Sequence, residues 1–279
     1  MPRSRRTFQY DGAAMSLNVR GGLLLLACAG AVAVPRASAA RAPLVVVDPG
    51  HGGEQDGAEG PVGLKEKDVA LQVARRLRAH LDAVLGAKVL LTREADVDLP
   101  LSDRVALANR YAPDLFISIH ANSMPTRRLR QTIRGIETFF LSASASGAEA
   151  ASTADRENAE GPSRRTRAQA DALAFILADL ARAGAHVHSS RLAYAVHRRL
   201  VDATRAENHG VHQAPFYVLN GLQAPAILVE IGYISHPEEG RRLGDPAYQE
   251  VVARAVAEGV KDFLAQSQAG GGMAAAPTQ

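Results

Sequence analysis

The sequence predicts an α/β fold: a single domain with a mostly parallel twisted sheet flanked by helices, carrying a helical insertion. Three observations predict it. Short apolar runs alternate with amphipathic helical stretches through most of the 279 residues, the pattern of strands joined by helical crossovers. Three of those runs end in ionisable groups or lead straight into them: Val47-Asp48-Pro49-Gly50-His51, Ser118-Ile119-His120 and Val229-Glu230. In parallel sheets, sites gather at the carboxyl ends of strands. Composition is the third: 47% hydrophobic and 22% charged residues are ordinary for a folded chain and too apolar for general disorder.

Residues 43–48 form a β-branched run that reads as a buried strand, and Pro49 to Gly53 as the Gly-rich turn after it. Residues 64–85 read as an amphipathic helix, because Val69, Val73, Leu77, Leu81 and Leu85 recur every fourth position. Residues 88–92 read as a strand. Leu101–Tyr111 reads as a helix stopped by Pro113, 115–120 as a second buried strand and 135–141 as a third. Residues 142–187 are rich in Ala, Ser, Arg and Glu and broken at Gly161-Pro162; they read as an insertion packed on the surface of the core. Within it, 168–183 carries Leu173, Ile176, Leu177 and Leu180 on one helical face. A helix over 188–206, strands over 216–219 and 226–230, and a final helix over 247–265 complete the domain. Residues 267–279 read as a disordered low-complexity tail.

The net charge of +3 belongs to the first 39 residues, which hold five arginines and one acid, Asp11. The remaining 240 residues contain 27 basic and 28 acidic side chains, so no phosphate-binding footprint is expected and no nucleic-acid partner. Residues 1–39 read as an export signal: a basic stretch, an apolar run from Gly21 to Val34, then Ala37-Ser38-Ala39 as a cleavage site. The apolar run is too short for a stable membrane span, which needs roughly 20 residues. Ser4-Arg5-Arg6-Thr7-Phe8 resembles a twin-arginine signal; a start at Met15 would leave a general secretory one. The single cysteine, Cys28, lies inside this segment, so the exported chain would use neither disulfides nor thiol chemistry.

His51, Glu66 and His120 form a candidate metal set. His51 sits in the Gly-rich turn, Glu66 opens the next helix and His120 ends a buried strand. Two imidazoles and a carboxylate are a frequent ligand set for catalytic zinc. Each also has a plainer reading, as a hydrogen-bonded turn residue, a helix-dipole partner and a strand-rim residue. Their spacings, 15 and 54 residues, do not by themselves choose between the two. Glu230, at the end of an apolar strand, is a candidate general acid/base, the plainer alternative being a buried Glu paired with an Arg. His209 and His212 flank Gly210 in a loop that could reach the site or stay solvated. No GxSxG elbow, P-loop or GxGxxG occurs.

Four ordered segments carry a resemblance: 46–53 (VVDPGHGG), 65–68 (KEKD), 116–122 (FISIHAN) and 228–235 (LVEIGYIS). Together they resemble the zinc-dependent N-acetylmuramoyl-L-alanine amidases of the amidase-3 family, over 43–266. The resemblance implies zinc held by His51, Glu66 and His120, with Glu230 as the catalytic acid/base. It implies cleavage of stem peptide from glycan in peptidoglycan, hence a periplasmic enzyme of cell-wall remodelling or daughter-cell separation. Arg156-Glu157-Asn158-Ala159 and Ile176-Leu177-Ala178-Asp179-Leu180 are similar to the division amidases of Gram-negative bacteria. That similarity implies an inhibitory insertion helix with Glu149, Glu157 or Glu160 near the zinc, and an activator protein that displaces it. Unlike those amidases, this chain shows no N-terminal wall-targeting domain. Another zinc wall peptidase, such as a carboxypeptidase, and a non-catalytic wall-binding protein are the competing readings.

Overall fold

The computed structural model describes residues 41–160 and 183–269. The export segment, nearly all of the helix expected over 168–183, and the tail beyond 269 lie outside the described residues. Six strands form one sheet: β1 (Leu44–Pro49), β2 (Lys88–Leu91), β3 (Leu115–Asn122), β4 (Ile136–Leu141), β5 (Asn208–Ala214) and β6 (Ala226–Tyr233). Their order is β2-β1-β3-β6-β4-β5. The first four in that order run parallel, β4 pairs antiparallel with β6, and β5 runs parallel to β4. The mostly parallel sheet is as expected, with one antiparallel seam.

Alternation along the strands assigns the two faces. Val45, Val47, Ile117, Ile119, Ile227 and Val229 point to one side, into a cluster completed by three helices, α1 (Glu66–Leu85), α5 (Ala183–Thr204) and α7 (Pro246–Ala269). On α1 the expected stripe is realised: Val69, Val73, Leu77 and Leu81 are fully buried. The left-handed Gly86 ends that helix, its N–H donating to Leu81 and Asp82 carbonyls. Val46, Phe116, Phe139 and Leu228 point to the other side. There they meet α2 (Leu101–Tyr111), α4 (Ala148–Glu157) and Phe216. Two short helices, α3 (Arg127–Arg130) and α6 (Pro237–Leu243), lie in the connections.

Several boundaries differ from expectation, each for a physical reason. The 216–219 run is not a strand; Tyr217–Leu219 is a 3-10 turn that plugs Val218 and Leu219 into the core. The strand lies earlier, at Asn208–Ala214, a sheet edge whose side chains are only partly covered and so show no apolar alternation. β3 continues two residues past His120 to Asn122. His236 caps α6, its Nδ1 accepting from the N–H groups of Glu238 and Glu239. The last helix runs through 269, so 267–269 are helical rather than tail. The proposed insertion is not simply laid on the surface. Its final residues begin α5, and α4 buries Ala150, Thr153, Ala154 and Glu157.

The antiparallel seam decides where α4 goes. β4 starts at the carboxyl end of β6, with Glu137 opposite Glu230, and ends at the far edge. The chain then turns at 142–147, and α4 runs back so that its last residue, Glu157, reaches the edge where β1, β3 and β6 end.

Candidate metal centre

Parity places the polar residues of this edge together. His120, Glu230 and Glu137 occupy one row across β3, β6 and β4, in register with one another. They therefore share the face that α4 covers. His51 follows β1 and has φ of 57°, a left-handed conformation uncommon outside glycine but accessible to His. Gly50 leaves room for the second ring: a Cβ there would lie 2.4 Å from His120 Cε1. The two imidazoles pack edge to face with centroids 4.9 Å apart. Glu66, the first residue of α1, is fixed by two backbone donors: Ala121 N–H donates to Oε1 at 2.9 Å and Ala58 N–H to Oε2 at 2.8 Å.

The structure brings the three expected ligands to one point. Glu66 Oε1 lies 3.0 Å from both His51 Nε2 and His120 Nδ1. Glu157 is the fourth member: its Oε2 is 2.8 Å from His120 Nδ1 and 3.3 Å from His51 Nε2. One donor atom from each of the four lies within 4.8 Å of all the others. Two imidazole nitrogens and two carboxylate oxygens, nearly dry, suit a divalent cation of the zinc type. Of the acids considered in the insertion, Glu157 enters and Glu149 is exposed in the first turn of α4, while the side chain of Glu160 lies outside the described residues. The centre opens into a cavity of about 350 Å³ lined by Gly57, Ala58, Ser123, Arg156 and Glu157.

The electrostatics favour positive charge at the centre. Burial opposes ionisation of Glu66, but the imidazoles of His51 and His120 hold its carboxyl far below the usual carboxylate range. Burial likewise opposes charge on His120, but Glu157 and Glu66 push it up to about 10. Glu157 is held down at about 2: burial and Glu66 work against its charge, and His120 outweighs them. Glu230 behaves oppositely. It is fully buried, and neither carboxyl oxygen has a hydrogen-bond partner among the described residues. Burial first, then the charge of Glu157, raises it well above the ordinary value. The alternative of a Glu230–Arg pair is not what forms.

Beneath the centre lies a network that sequence reasoning did not single out. Asp48 accepts from Thr92 Oγ1, Ser118 Oγ and Arg104 Nη1. Arg104 also donates to the carbonyls of Pro49, His51 and Leu99, and Arg93 to those of Pro49, Gly50, Lys67 and Ala95. Two buried guanidinium groups thus clamp the backbone that presents His51. Burial would raise the Asp48 carboxyl, but Arg104 and the hydroxyl donors hold it below its ordinary value. His209 and His212 take no part in the centre; their Nε2 atoms meet the carbonyls of Arg134 and His209. Asn122 and Tyr233 lie in segments that carry the resemblance but had no role assigned, and Glu137 was not singled out. A carboxylate inside the apolar run 136–141 was the signal available for Glu137.

A family model described as N-acetylmuramoyl-L-alanine amidase matches residues 45–262. The chain is 36% identical over 227 residues to N-acetylmuramoyl-L-alanine amidase AmiC of Escherichia coli O6:H1, covering 80% of this chain and 53% of that protein. It is 35% identical over 224 residues to AmiA of Escherichia coli K12, covering 79% and 76%. The chain thus spans about half the length of AmiC and three quarters of AmiA. Among solved structures it is similar to amidase AmiC2 of Nostoc punctiforme, with a TM-score of 0.59, 32% identity, and coverage of 80% of this chain and 97% of that one. The family model runs through every strand and helix that carries the cluster, and the chain belongs to the N-acetylmuramoyl-L-alanine amidase family.

Proposed function

We propose that this protein hydrolyses the amide between N-acetylmuramic acid and the L-alanine of the stem peptide in peptidoglycan, at a zinc ion held by His51, Glu66 and His120. The observation that carries the reading is the convergence of these three on one point, with Glu230 opposite His120 on the adjacent strand. A zinc ion held there would polarise the scissile carbonyl and activate the attacking water. The protein's own groups do the rest. The N–H groups of Ala58 and Ala121 hold Glu66, and the Arg104 clamp holds the backbone of His51. Glu230, desolvated and without a donor among the described residues, takes the proton of the attacking water and returns it to the alanine nitrogen as the bond breaks.

Glu157 stands where a further ligand or a substrate oxygen would approach the three. Its position supports an autoinhibited state in which α4 closes the centre until an activator protein draws it away. The leader-like residues 1–39 support export, by the twin-arginine or general secretory route, to the periplasm. There the enzyme would act in wall remodelling or daughter-cell separation.

The test is digestion of purified peptidoglycan by the Glu157→Ala protein. Stem peptides released from intact glycan are expected, with activity abolished by a chelator and restored by zinc. Glu230→Ala should stop hydrolysis while leaving zinc bound. Release of a terminal amino acid would identify a carboxypeptidase instead, and zinc binding without any product would identify a wall-binding protein.

A further inference from the structure

Glu157 does not enter the cavity alone. Its neighbour Arg156 lines the same cavity and donates from Nη2 to Asn122 Oδ1 at 2.5 Å. Asn122 is buried, two residues past His120 on β3. Its Nδ2 donates to Glu137 Oε2 at 2.7 Å, and Tyr233 O–H donates to the same oxygen at 3.2 Å. Three strands thus contribute one buried residue each to a relay whose effect is to fix the Asn122 amide. Because Nδ2 is committed to Glu137, Oδ1 must present outward, to Arg156 and to the N–H of Ser123.

A latch for α4 alone would need only a surface acceptor. Here the acceptor is built into the sheet, and the helix merely reaches it. We propose that Asn122 Oδ1 is a substrate subsite that accepts an N–H donor of the stem peptide once α4 has left, and that Arg156 stands in for this donor while α4 is closed. The inference rests on the amidase reading of the centre. Consecutive residues of α4 then imitate two parts of the substrate, Glu157 an oxygen at the cation site and Arg156 an N–H beside it. The subsite takes a donor rather than a carboxylate, because the Glu137 carboxylate stands directly behind Asn122 and repels anions. Two donors on the stem share this chemistry, a backbone amide and the ammonium of a diamino acid.

The test pairs protein and substrate changes in the Arg156→Ala/Glu157→Ala protein. Its substrates are synthetic muropeptides in which each stem amide N–H is replaced in turn by an ester oxygen, and one in which the side-chain ammonium is replaced by a methyl group. Replacing the correct donor is expected to lower kcat/KM about tenfold, through an acceptor left unpaired. Adding Asn122→Ala should lower kcat/KM similarly, leave zinc content unchanged, and abolish sensitivity to that one replacement. Loss at an ester position identifies a backbone donor, and loss on methyl replacement identifies the ammonium. Substrate changes that all leave kcat/KM within twofold would overturn the subsite, as would an Asn122→Ala protein that keeps the sensitivity. If Asn122→Ala does not fold or bind zinc, the substrate series on the parent background decides alone. A parent that binds zinc yet cuts no muropeptide refutes the amidase reading itself, a result distinct from cleavage indifferent to every donor.

Discussion

Replacing Arg104 by Met should unfold the support of the centre while sparing its volume. The side chain is 1% exposed and makes four hydrogen bonds: to Asp48 Oδ1 at 2.9 Å and to the carbonyls of Pro49, His51 and Leu99 at 2.7, 2.7 and 2.9 Å. Methionine has a similar reach and no donors. Asp48 would keep Thr92 and Ser118 but lose its partner charge, and breaking a buried ion pair from one side costs about 3–5 kcal/mol. The orphaned His51 carbonyl adds roughly 1–3 kcal/mol, not fully additive. A loss of about 4 kcal/mol is therefore expected, a large share of a total stability of about 5–15 kcal/mol. Urea unfolding followed by circular dichroism measures it. Asp48→Asn/Arg104→Met should be less destabilised than Arg104→Met alone, because neutralising the carboxylate removes the uncompensated charge. A loss below about 1 kcal/mol, or a double variant worse than the single one, would refute the clamp as a charge-based device.

Three further outcomes can be checked. Asp48 is held below its ordinary value, so its stabilising contribution is complete above the unfolded carboxylate value of about 3.9 and is lost as pH falls through the lower folded value. Stability of Asp48→Asn, though lower at neutral pH, should fall less steeply than wild type below about pH 4, and equal slopes in urea titrations would contradict this. Gly50→Ala forces a Cβ to 2.4 Å from the His120 ring. Zinc affinity, measured by competition with a chromophoric chelator, should drop at least about tenfold with helicity retained; unchanged affinity would show that the ring can yield. Glu157→Ala should raise release of dye from labelled peptidoglycan about tenfold or more, within the usual range of a coupling between two states; no rise would remove the inhibitory role of α4.

Legibility in the sequence followed burial. β1, β3 and β6 are covered on both faces, so they appear as apolar runs, and their polar ends mark the centre. β5 is an edge strand with Asn, His and Gln along it, and hydropathy gives it no outline. The apolar run 216–219 misled for the complementary reason, since a 3-10 turn can bury side chains as well as a strand does. His51, Glu66, His120 and Glu230 were readable because motif and resemblance agreed on them. Glu157 could only be narrowed to one of three acids, because an Ala-rich helix gives each Glu the same local context. Arg104, Arg93, Glu137 and Asn122 act mainly through partners far along the chain, such as Asp48 for Arg104, Gly50 for Arg93 and Tyr233 for Glu137, and pairing at that range has no local trace.

The return path of α4 turns its length into a ruler. Its ten residues span about 15 Å at 1.5 Å per residue, and the carboxylate arrives at the centre because that distance is right. Inserting one residue between Ala148 and Thr153 would swing everything beyond it by about 100° around the helix axis. Glu157 would then face away from the imidazoles even though every contacting side chain is still present. Natural variation in this helix should therefore tolerate changes of letter far better than changes of count.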